Sequence, residues 1–336
     1  MKKFLAGITV LSLCMLFAGL PDTQARQKRF AFITNGVNDF WILSLGGVEQ
    51  AAKDFNIQTL YLTPSNGTAA KQTAILKNLL AEGTNGIAIT VIDPLGMTPL
   101  LNKVAEKTLL ITYDSDAPDS NRICYIGTNN YSAGRTMGKL IKEVIPEGGK
   151  LMLQVGKLEV LNAVERRQGI IDELRGLPVP TKYTVSPPGR VECGKWMILD
   201  TLTDNVDYGR AKQNVEDALI SNPDIKLFVG LWAYEGPIIL SAVKEARMLG
   251  KVKILAFDEL DDTLQGIIDG YIYATVVQDP YNFGYRSMGL LNDLSKGDRS
   301  QIPASKTIHI PERVINKNNV EVFWDDIRKK LGRNRP

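Results

Sequence analysis

Residues 252–280 read VKILAFDELDDTLQGIIDGYIYATVVQDP and contain two short apolar runs separated by a segment of helical periodicity. The runs at 252–257 and 272–277 are rich in β-branched residues and predict strands, and 261–269 predicts a helix between them. Two strands connected through a helix form a parallel pair with a right-handed crossover. Because nearly every strand position is apolar, we expect helices on both faces of the sheet.

The same alternation of strand and helix extends over most of the chain. Further strands are predicted at 29–34, 57–62, 86–91, 109–113, 123–127, 150–155, 196–203 and 226–230. Further helices are predicted at 39–55, 68–82, 97–107, 131–145, 162–175, 208–221, 236–249 and 280–295, with a docked helix at 320–332. A single sheet of this many strands would be unusually large, so we expect two doubly wound parallel sheets. The chain is expected to cross between them near 128–130, 278–280 and 302–304.

The first 25 residues have the pattern of a secretory signal peptide. Lys2 and Lys3 precede an apolar run from Phe4 to Leu20, and the polar stretch after it ends at Ala25. The apolar run is at the short limit for a membrane-spanning helix, so cleavage after Ala25 is favoured over a membrane anchor. Export would place the mature chain outside the cytoplasm and would exclude functions that need cytosolic ATP or NADH.

Composition and charge exclude several classes of function. The 336 residues include 40 Lys and Arg against 37 Asp and Glu, and a net charge of +3 does not indicate nucleic-acid binding. His309 is the single histidine, so a metal site with several histidines is excluded, and we expect this residue to be structural. Without a CxxC pair, Cys124 and Cys193 are expected to be free thiols. Nucleotide-binding glycine loops are absent from the sequence.

Polar and aromatic side chains recur directly after the predicted strands. Ligands bind beyond the carboxyl ends of strands in doubly wound sheets, so the candidate site residues are Asn38, Phe40, Trp41, Asp114, Asn162, Arg166, Trp232, Asp258 and Gln278. Carboxylates and amides hydrogen-bond to hydroxyl groups, arginine donates in a planar fork, and aromatic rings cover the apolar faces of sugars. The set therefore suits a polyhydroxylated small molecule.

Each of these residues also has a purely structural interpretation. An Asp after a strand is commonly a helix N-cap, Phe40 and Trp41 alone would suit core packing, and Arg166 alone would suit a surface helix. The prediction of a site depends on their repetition at one edge of both sheets. A glycosidase with Asp114 and Asp258 as paired carboxylates is an alternative, because the sequence gives no distance between them.

Seven short landmarks, in order over about 290 residues, resemble the periplasmic sugar-binding proteins of ABC transporters, in the ribose/galactose-binding family. They are Asn38-Asp39-Phe40-Trp41, Thr112-Tyr113-Asp114-Ser115-Asp116, Tyr125-Ile126-Gly127-Thr128-Asn129-Asn130 with Ala133-Gly134, Asn162-Ala163 with Arg166 and Gly169, Asn222-Pro223-Asp224, Ala256-Phe257-Asp258, and Ala274-Thr275-Val276-Val277-Gln278-Asp279-Pro280.

The resemblance implies a type I periplasmic binding protein fold, in which two doubly wound α/β domains are joined by a three-strand hinge and sugar binds between them. The implied N-terminal domain is 26–128 plus 279–304, and the implied C-terminal domain is 129–278 plus 305–336. The implied partner is a membrane ABC permease that takes sugar from a monomeric carrier. No cofactor, metal, catalytic residue or nucleic acid belongs to this function.

The resemblance also implies a role for the candidate residues. Asp114 and Asp258 would hold ring hydroxyls, and Gln278 would lie at the hinge. The aromatic residues that would stack on the ring are Phe40, Trp41 and Trp232. The polar residues that would complete the site are Asn38, Asn162 and Arg166.

The sequence departs from the ribose-binding pattern at three positions. Ser115 and Val164 stand where ribose binders carry arginine, and Trp232 stands where they carry an amide. These differences argue against ribose as the ligand. They also count against a contact between Arg166 and the ligand. The proline- and glycine-rich segment 176–195 is expected to be an irregular surface insertion, with contact to a partner as the alternative.

Three other functions share part of this pattern. The lactose-repressor family has the same fold but begins with a helix-turn-helix, where this chain has a predicted signal peptide. A secreted glycoside-modifying enzyme would use Asp114 and Asp258 as acid and base. A sugar-sensing partner of a membrane receptor would bind the same ligands as a transport protein.

Overall fold

The structure is a computed structural model that describes residues 27–332, so the predicted signal peptide lies outside the described residues. The strands are β1 Arg29–Ile33, β2 Gln58–Leu62, β3 Gly86–Ile89, β4 Leu109–Tyr113, β5 Tyr125–Gly127, β6 Gly149–Val155, β7 Val191–Cys193, β8 Trp196–Thr203, β9 Leu227–Gly230, β10 Lys253–Phe257, β11 Ala274–Val277, β12 Thr307–His309 and β13 Arg313–Asn316. The helices are α1 Phe40–Asp54, α2 Ala69–Glu82, α3 Pro94–Ala105, α4 Asn130–Val144, α5 Leu161–Leu174, α6 Tyr208–Ser221, α7 Glu235–Glu245, α8 Asp261–Ile268, α9 Pro280–Ser295 and α10 Val320–Lys330.

The strands form two sheets, which confirms the predicted fold class. The first sheet has the order β12-β5-β4-β3-β1-β2 and its pairs are parallel. The second has the order β13-β11-β10-β9-β6-β8-β7, with antiparallel pairing at its edges between β13 and β11 and between β7 and β8. The strand order reverses beside β1 in the first sheet and beside β6 in the second. At such switch points the carboxyl ends of neighbouring strands leave a crevice for a ligand.

Helices cover both faces of each sheet, as strands buried on both faces require. On the first sheet, α1 and α9 pack on one face and α2 and α3 on the other. On the second sheet, α4 and α5 pack on one face, and α6, α7, α8 and α10 pack on the other. Each sheet therefore has its own pair of cores, and we refer to the two sheets with their helices as the first and second domains.

Helices α4 and α5 cross at close range because glycine lies at their contact. A Cβ atom on Gly134 would lie 2.2 Å from the backbone oxygen of Arg166, and one on Gly169 would lie 2.2 Å from that of Tyr131. Real Cβ atoms do not approach backbone oxygen so closely, so a larger residue would push the helices apart. The two glycines therefore fix the first turns of α5, which carry Asn162 and Arg166.

The chain crosses between the domains three times, between β5 and α4, between β11 and α9, and between β12 and β13. The first two crossings lie where the sequence predicts them. The third requires a correction, because Thr307–His309 pairs in parallel with β5 and so belongs to the first domain. The crossing therefore falls at 310–312 and not at 302–304. Residues 302–306 first bring the chain to the open edge of the first sheet, and His309 ends that edge strand with its side chain exposed.

The proline-rich segment 176–195 is more ordered than the sequence suggests. Its end forms β7, which pairs with the start of β8. Its middle is held on α5, where Arg167 donates to the backbone oxygens of Ser186 and Pro187 at 2.9 and 2.7 Å. Gln168 accepts a hydrogen bond from the Ser186 N–H at 2.6 Å. The segment is therefore a fixed part of the second domain.

Two smaller findings concern helix ends and cysteines. Helix α3 begins at Pro94, earlier than predicted, because Asp93 accepts a hydrogen bond from the Gly96 N–H at 2.8 Å and proline suits the first helical position. Cys124 and Cys193 are buried and free, as predicted. None of the helices between residues 27 and 332 combines the length and apolarity needed to cross a membrane.

Candidate ligand-binding cleft

A cavity of about 520 Å³ lies between the carboxyl edges of the two sheets. The first domain contributes residues that follow β1, β2, β3 and β4, and the second contributes residues that follow β6, β8, β9, β10 and β11. All nine side chains selected from the sequence line this single cavity: Asn38, Phe40, Trp41, Asp114, Asn162, Arg166, Trp232, Asp258 and Gln278. Their contact with a ligand stays a prediction.

Asp114 and Asp258 occupy equivalent positions in the two domains. Each directly follows a strand, β4 or β10, and each has a left-handed backbone, with φ of 56° and 66°. The backbone N–H of each donates to the next strand, to Ile126 at 3.2 Å and to Val276 at 2.9 Å. Left-handed conformations at non-glycine residues are uncommon and concentrate at functional sites. The two carboxylates are thus presented by the same local geometry on both sides of the cleft.

The two carboxylates are buried and only partly neutralised. Burial raises the pKa of Asp114 from 3.8 to about 6, while the nearby charge of Arg166 and a hydrogen bond from Thr90 at 2.7 Å oppose the rise. Burial also raises the pKa of Asp258, and Arg166 and Gln278 act against it. Gln278 donates to Asp258 at 3.0 Å, and Arg166 Nη1 lies 3.9 Å from its second oxygen. Hydrogen-bond donors of a ligand would stabilise both ionised carboxylates.

Arg166 lies at the bottom of the cleft and is 1% exposed. Its Nε donates to Asn130 Oδ1 at 3.0 Å and its Nη1 donates to the Leu231 backbone oxygen at 2.7 Å, while its guanidinium lies 4.6 Å from the centre of the Phe257 ring. Its Nη2 has no hydrogen-bond partner among residues 27–332. The interpretation of Arg166 as a surface helix charge was therefore wrong. Val164, at the position where ribose binders carry arginine, is not among the residues that line the cavity.

Three buried polar atoms in the cleft lack hydrogen-bond partners within the described residues. They are the oxygen Oδ1 of Asn38, the oxygen Oε1 of Gln278 and the nitrogen Nη2 of Arg166. A buried polar group without a partner costs about 1–3 kcal/mol. Hydroxyl groups both donate and accept hydrogen bonds, so a polyhydroxylated ligand can satisfy all three atoms.

Aromatic rings form apolar walls on both sides of the cleft. In the first domain, Phe40 and Trp41 meet edge to face at 4.8 Å, and Trp41 donates from its indole N–H to Asn35 at 3.0 Å. In the second domain, Trp232 donates from its indole N–H to Asn162 at 3.2 Å. These bonds fix the rings, because both indole donors are already paired. Fixed aromatic walls beside buried carboxylates and amides suit a ring with polar edges and apolar faces.

Several lining residues were missed by the selection from sequence. Gly67 lies in the loop after β2, Lys157 follows β6, and Asn205, Val206 and Tyr208 follow β8. All of them come after a strand, so the strand-end rule applied to every predicted strand would have found them. Glu235 also follows β9 but does not line the cavity; it is fully buried and accepts hydrogen bonds from the N–H groups of Leu231 and Trp232.

No cluster of three or more His, Cys, Asp or Glu side chains within residues 27–332 is arranged to hold a metal ion. The cleft itself is lined by carboxylates, amides, a guanidinium group and aromatic rings. These groups can bind and orient a neutral polar molecule without a covalent step.

Comparisons with known proteins agree with this geometry. A family profile described as "Periplasmic binding protein domain" matches residues 30–299. The chain is 23% identical over 307 residues to the ribose import binding protein of Salmonella typhimurium, which covers 90% of this chain and 95% of that protein.

Two solved structures also share the fold. An ABC transporter solute-binding protein from Burkholderia graminis in complex with D-arabinose is 28% identical, with a TM-score of 0.78 over 87% of this chain and 96% of the other. A glucose-galactose binding protein from Geobacillus stearothermophilus is 25% identical, with a TM-score of 0.78 over 87% of this chain and 98% of the other.

Proposed function

The chain belongs to the periplasmic binding protein domain family, and from this premise we propose that it captures a monosaccharide or related polyol and delivers it to an ABC importer. The observation that carries the proposal is the cavity between the domains. Its buried carboxylates, unpaired amide oxygens and unpaired guanidinium nitrogen match the donors and acceptors of a polyhydroxylated molecule. Solute binding of this kind needs no chemical turnover.

The proposed mechanism is hinge closure around the ligand. Asp114 and the aromatic pair Phe40 and Trp41 belong to the first domain, whereas Asp258 and Arg166 belong to the second. A ligand that contacts both sets binds the closed form more tightly than the open form, so it shifts the population toward closure. The three crossings between the domains serve as the hinge, and Gln278 lies at one of them.

The named ligands of the relatives support a sugar as the cargo. One relative is named for ribose, one for glucose and galactose, and one was solved in complex with D-arabinose. Trp232 replaces the amide expected in ribose binders, which widens the apolar wall of the second domain at the expense of a polar contact. We therefore propose a sugar other than ribose.

The partner and the location follow from the same proposal. A membrane ABC permease would take the sugar from the closed protein, which would act as a monomer outside the cytoplasm. The predicted signal peptide at 1–25 supports export of the protein. The names of the relatives support import of the bound sugar by an ABC transporter. The relatives are named as binding proteins, which supports binding over the glycoside-modifying alternative.

A thermal-shift screen against sugars, polyols, sugar acids and nucleosides tests the proposal. A ligand at 100 times its Kd adds roughly 2.7 kcal/mol of stability, which raises the Tm of a chain of this length by several degrees. We expect one sugar or a few related sugars to do so, with calorimetry giving a one-to-one complex. Protein stripped by unfolding and refolding should be screened in parallel, to remove any sugar carried through purification. If no sugar or polyol stabilises the stripped protein, the proposal fails.

A further inference from the structure

The cavity is larger than a single sugar ring requires. Its volume is about 520 Å³, and it reaches from the buried carboxylates of Asp114 and Asp258 to exposed side chains at its mouth. One hexose bound at the carboxylates would therefore leave part of the cavity unfilled.

The cavity has two parts with different chemistry. The inner part contains the buried polar side chains Asp114, Arg166 and Asp258. The outer part, toward solvent, includes Val37, Val206 and Tyr208, which are 75%, 38% and 51% exposed. Single exposed apolar side chains are common on protein surfaces. Here they come from both domains and line one continuous opening.

The outer part rests on a rigid loop between β8 and α6. Asp204 is buried and accepts hydrogen bonds from the Tyr234 hydroxyl at 2.5 Å and from the Val206 N–H at 2.8 Å. The Tyr208 ring stacks on the Tyr234 ring, with centres 4.8 Å apart and planes at 16°. Tyr208 is therefore held with one face covered by Tyr234 and half of its surface exposed.

The same loop carries backbone strain. Val206 has φ of 66° and its neighbour Asn205 has φ of 58°. A β-branched residue in this region is an outlier, and such strain persists only where the surrounding contacts impose it. In this loop the contacts are those of Asp204, and their result is an apolar side chain presented at the mouth of the cavity.

The first domain also lies close to Tyr208 in the outer part of the cavity. Burial raises the pKa of Tyr208, and the charge of Asp39 in the first domain adds to the rise. Asp39 and Tyr208 both line the cavity. A group bound at Tyr208 would thus lie between the two domains and would favour closure.

We infer that the mouth of the cleft is a second subsite, which binds a ring attached to the sugar held at the carboxylates. The ligand class is then a glycoside, in which the anomeric oxygen of the inner sugar carries an aromatic aglycone or a second sugar. Both kinds of ring present an apolar face that suits Tyr208 and Val206. This inference rests on the proposed sugar-binding function and extends its cargo from a monosaccharide to a glycoside of that monosaccharide.

Matched ligand sets test the inference by calorimetry. For glucose, galactose, xylose and arabinose, the free sugar is compared with its methyl glycoside, its phenyl glycoside and a disaccharide that contains it, in both anomeric forms. We expect a phenyl glycoside or a disaccharide to bind at least tenfold more tightly than the free sugar and the methyl glycoside of the same set. The phenyl and disaccharide arms distinguish an aglycone from a second sugar.

The outcomes separate the two proposals. A free sugar that binds as tightly as its two-ring derivatives overturns the second subsite and leaves the proposed function intact. No binding by any member of the sets overturns the second subsite, and it overturns the proposed function as well only when the thermal-shift screen also finds no sugar or polyol that stabilises the stripped protein.

Two variants locate the subsite. Tyr208→Ala should reduce the ratio of two-ring to one-ring affinity to near one. Tyr271→Ala, an exposed tyrosine (46%) outside the cavity, is the matched control and should leave the ratio unchanged. Val206→Gly should raise the Tm, since glycine adopts positive φ without strain, and should also lower the ratio. A ratio unchanged in both Tyr208→Ala and Val206→Gly would overturn the assignment.

Discussion

Lys157 donates a hydrogen bond from Nζ to the backbone oxygen of Gly67 at 3.2 Å, and this bond joins the two domains across the mouth of the cleft. Lys157 follows β6 of the second sheet, and Gly67 lies in the loop after β2 of the first. Movement about the hinge would separate the two residues without disturbing either domain. In the proposed hinge closure the bond would therefore add to the stability of the conformation in which the two domains meet.

Lys157→Met should weaken ligand binding by making the closed form less stable. A hydrogen bond of this kind contributes about 0.5–1.5 kcal/mol, so the affinity should fall roughly two- to tenfold, mostly through faster dissociation. Stopped-flow fluorescence measures the dissociation rate. Lys251→Met removes an exposed lysine remote from the cavity and serves as the control. An unchanged dissociation rate in Lys157→Met would show that the bond does not contribute to closure.

Asp258→Asn should lower affinity by at least about 100-fold, because the charge that accepts ligand hydroxyls and faces Arg166 is lost. The fold should be retained, since asparagine also tolerates the positive φ of this position and can still accept the bond from Gln278. Calorimetry gives the affinity and circular dichroism gives the Tm. Asp269→Asn changes an exposed carboxylate outside the cavity and should alter neither quantity. Unchanged affinity in Asp258→Asn would remove Asp258 from the site.

Ligand affinity should fall as the pH drops below about 6. The pKa of Asp114 in the empty protein is raised to about 6, chiefly by burial. In the proposed complex ligand hydroxyls would donate to the ionised form, so binding would expel the proton when Asp114 is protonated. The affinity should then decrease by up to about tenfold for each pH unit below 6.

Calorimetry between pH 5 and 7.5, in two buffers of different ionisation enthalpy, measures both the affinity and the protons released. Asp114→Asn should bind more weakly and show a flatter profile. An affinity that is constant over this range in the wild-type protein would contradict a role for the ionised Asp114 carboxylate.

Glu165→Gln should become more stable relative to the wild type as the pH rises. Burial raises the pKa of Glu165 to about 7, and Tyr183 donates to its carboxylate at 3.0 Å. A carboxyl whose pKa is raised in the folded state adds stability below its unfolded pKa, near 4.5, and loses that contribution as the pH rises through 7. Glutamine can accept the Tyr183 bond and carries no charge.

Urea unfolding of both proteins at pH 5 and pH 8 measures this effect. The difference in free energy of unfolding should move in favour of Glu165→Gln by roughly 3 kcal/mol between the two pH values. Glu147→Gln, at an exposed position, should show no such change. A pH-independent difference for Glu165→Gln would mean that Glu165 ionises normally in the folded protein.

Ligand binding should change the intrinsic fluorescence, since Trp232 and Trp41 line the cavity. Trp232→Phe should remove a large part of the signal and weaken binding, because the indole bond to Asn162 is lost. Trp196→Phe is the matched control, because Trp196 donates to Ile145 and does not line the cavity. A ligand that binds by calorimetry but leaves the fluorescence unchanged would place both indoles outside the contact.

The sequence by itself determined the two doubly wound sheets and nine of the side chains that line the cavity. Alternating apolar runs and helical periods specify parallel strands covered by helices, because strands buried on both faces are mostly apolar. Parallel strands place their carboxyl ends at one edge, so Asp114 and Asp258 could be selected from their positions after strands alone.

Only the tertiary structure decided contacts between segments that are distant along the chain. Thr307–His309 joined the first sheet because the open edge of β5 offered unpaired backbone groups, which no local pattern reveals. The unpaired Nη2 of Arg166 and the bond from Lys157 to Gly67 depend on how the two domains meet. Side-chain identity fixes which hydrogen-bonding groups the cleft can contain. The packing of the domains fixes which of those groups remain available to bond to a ligand.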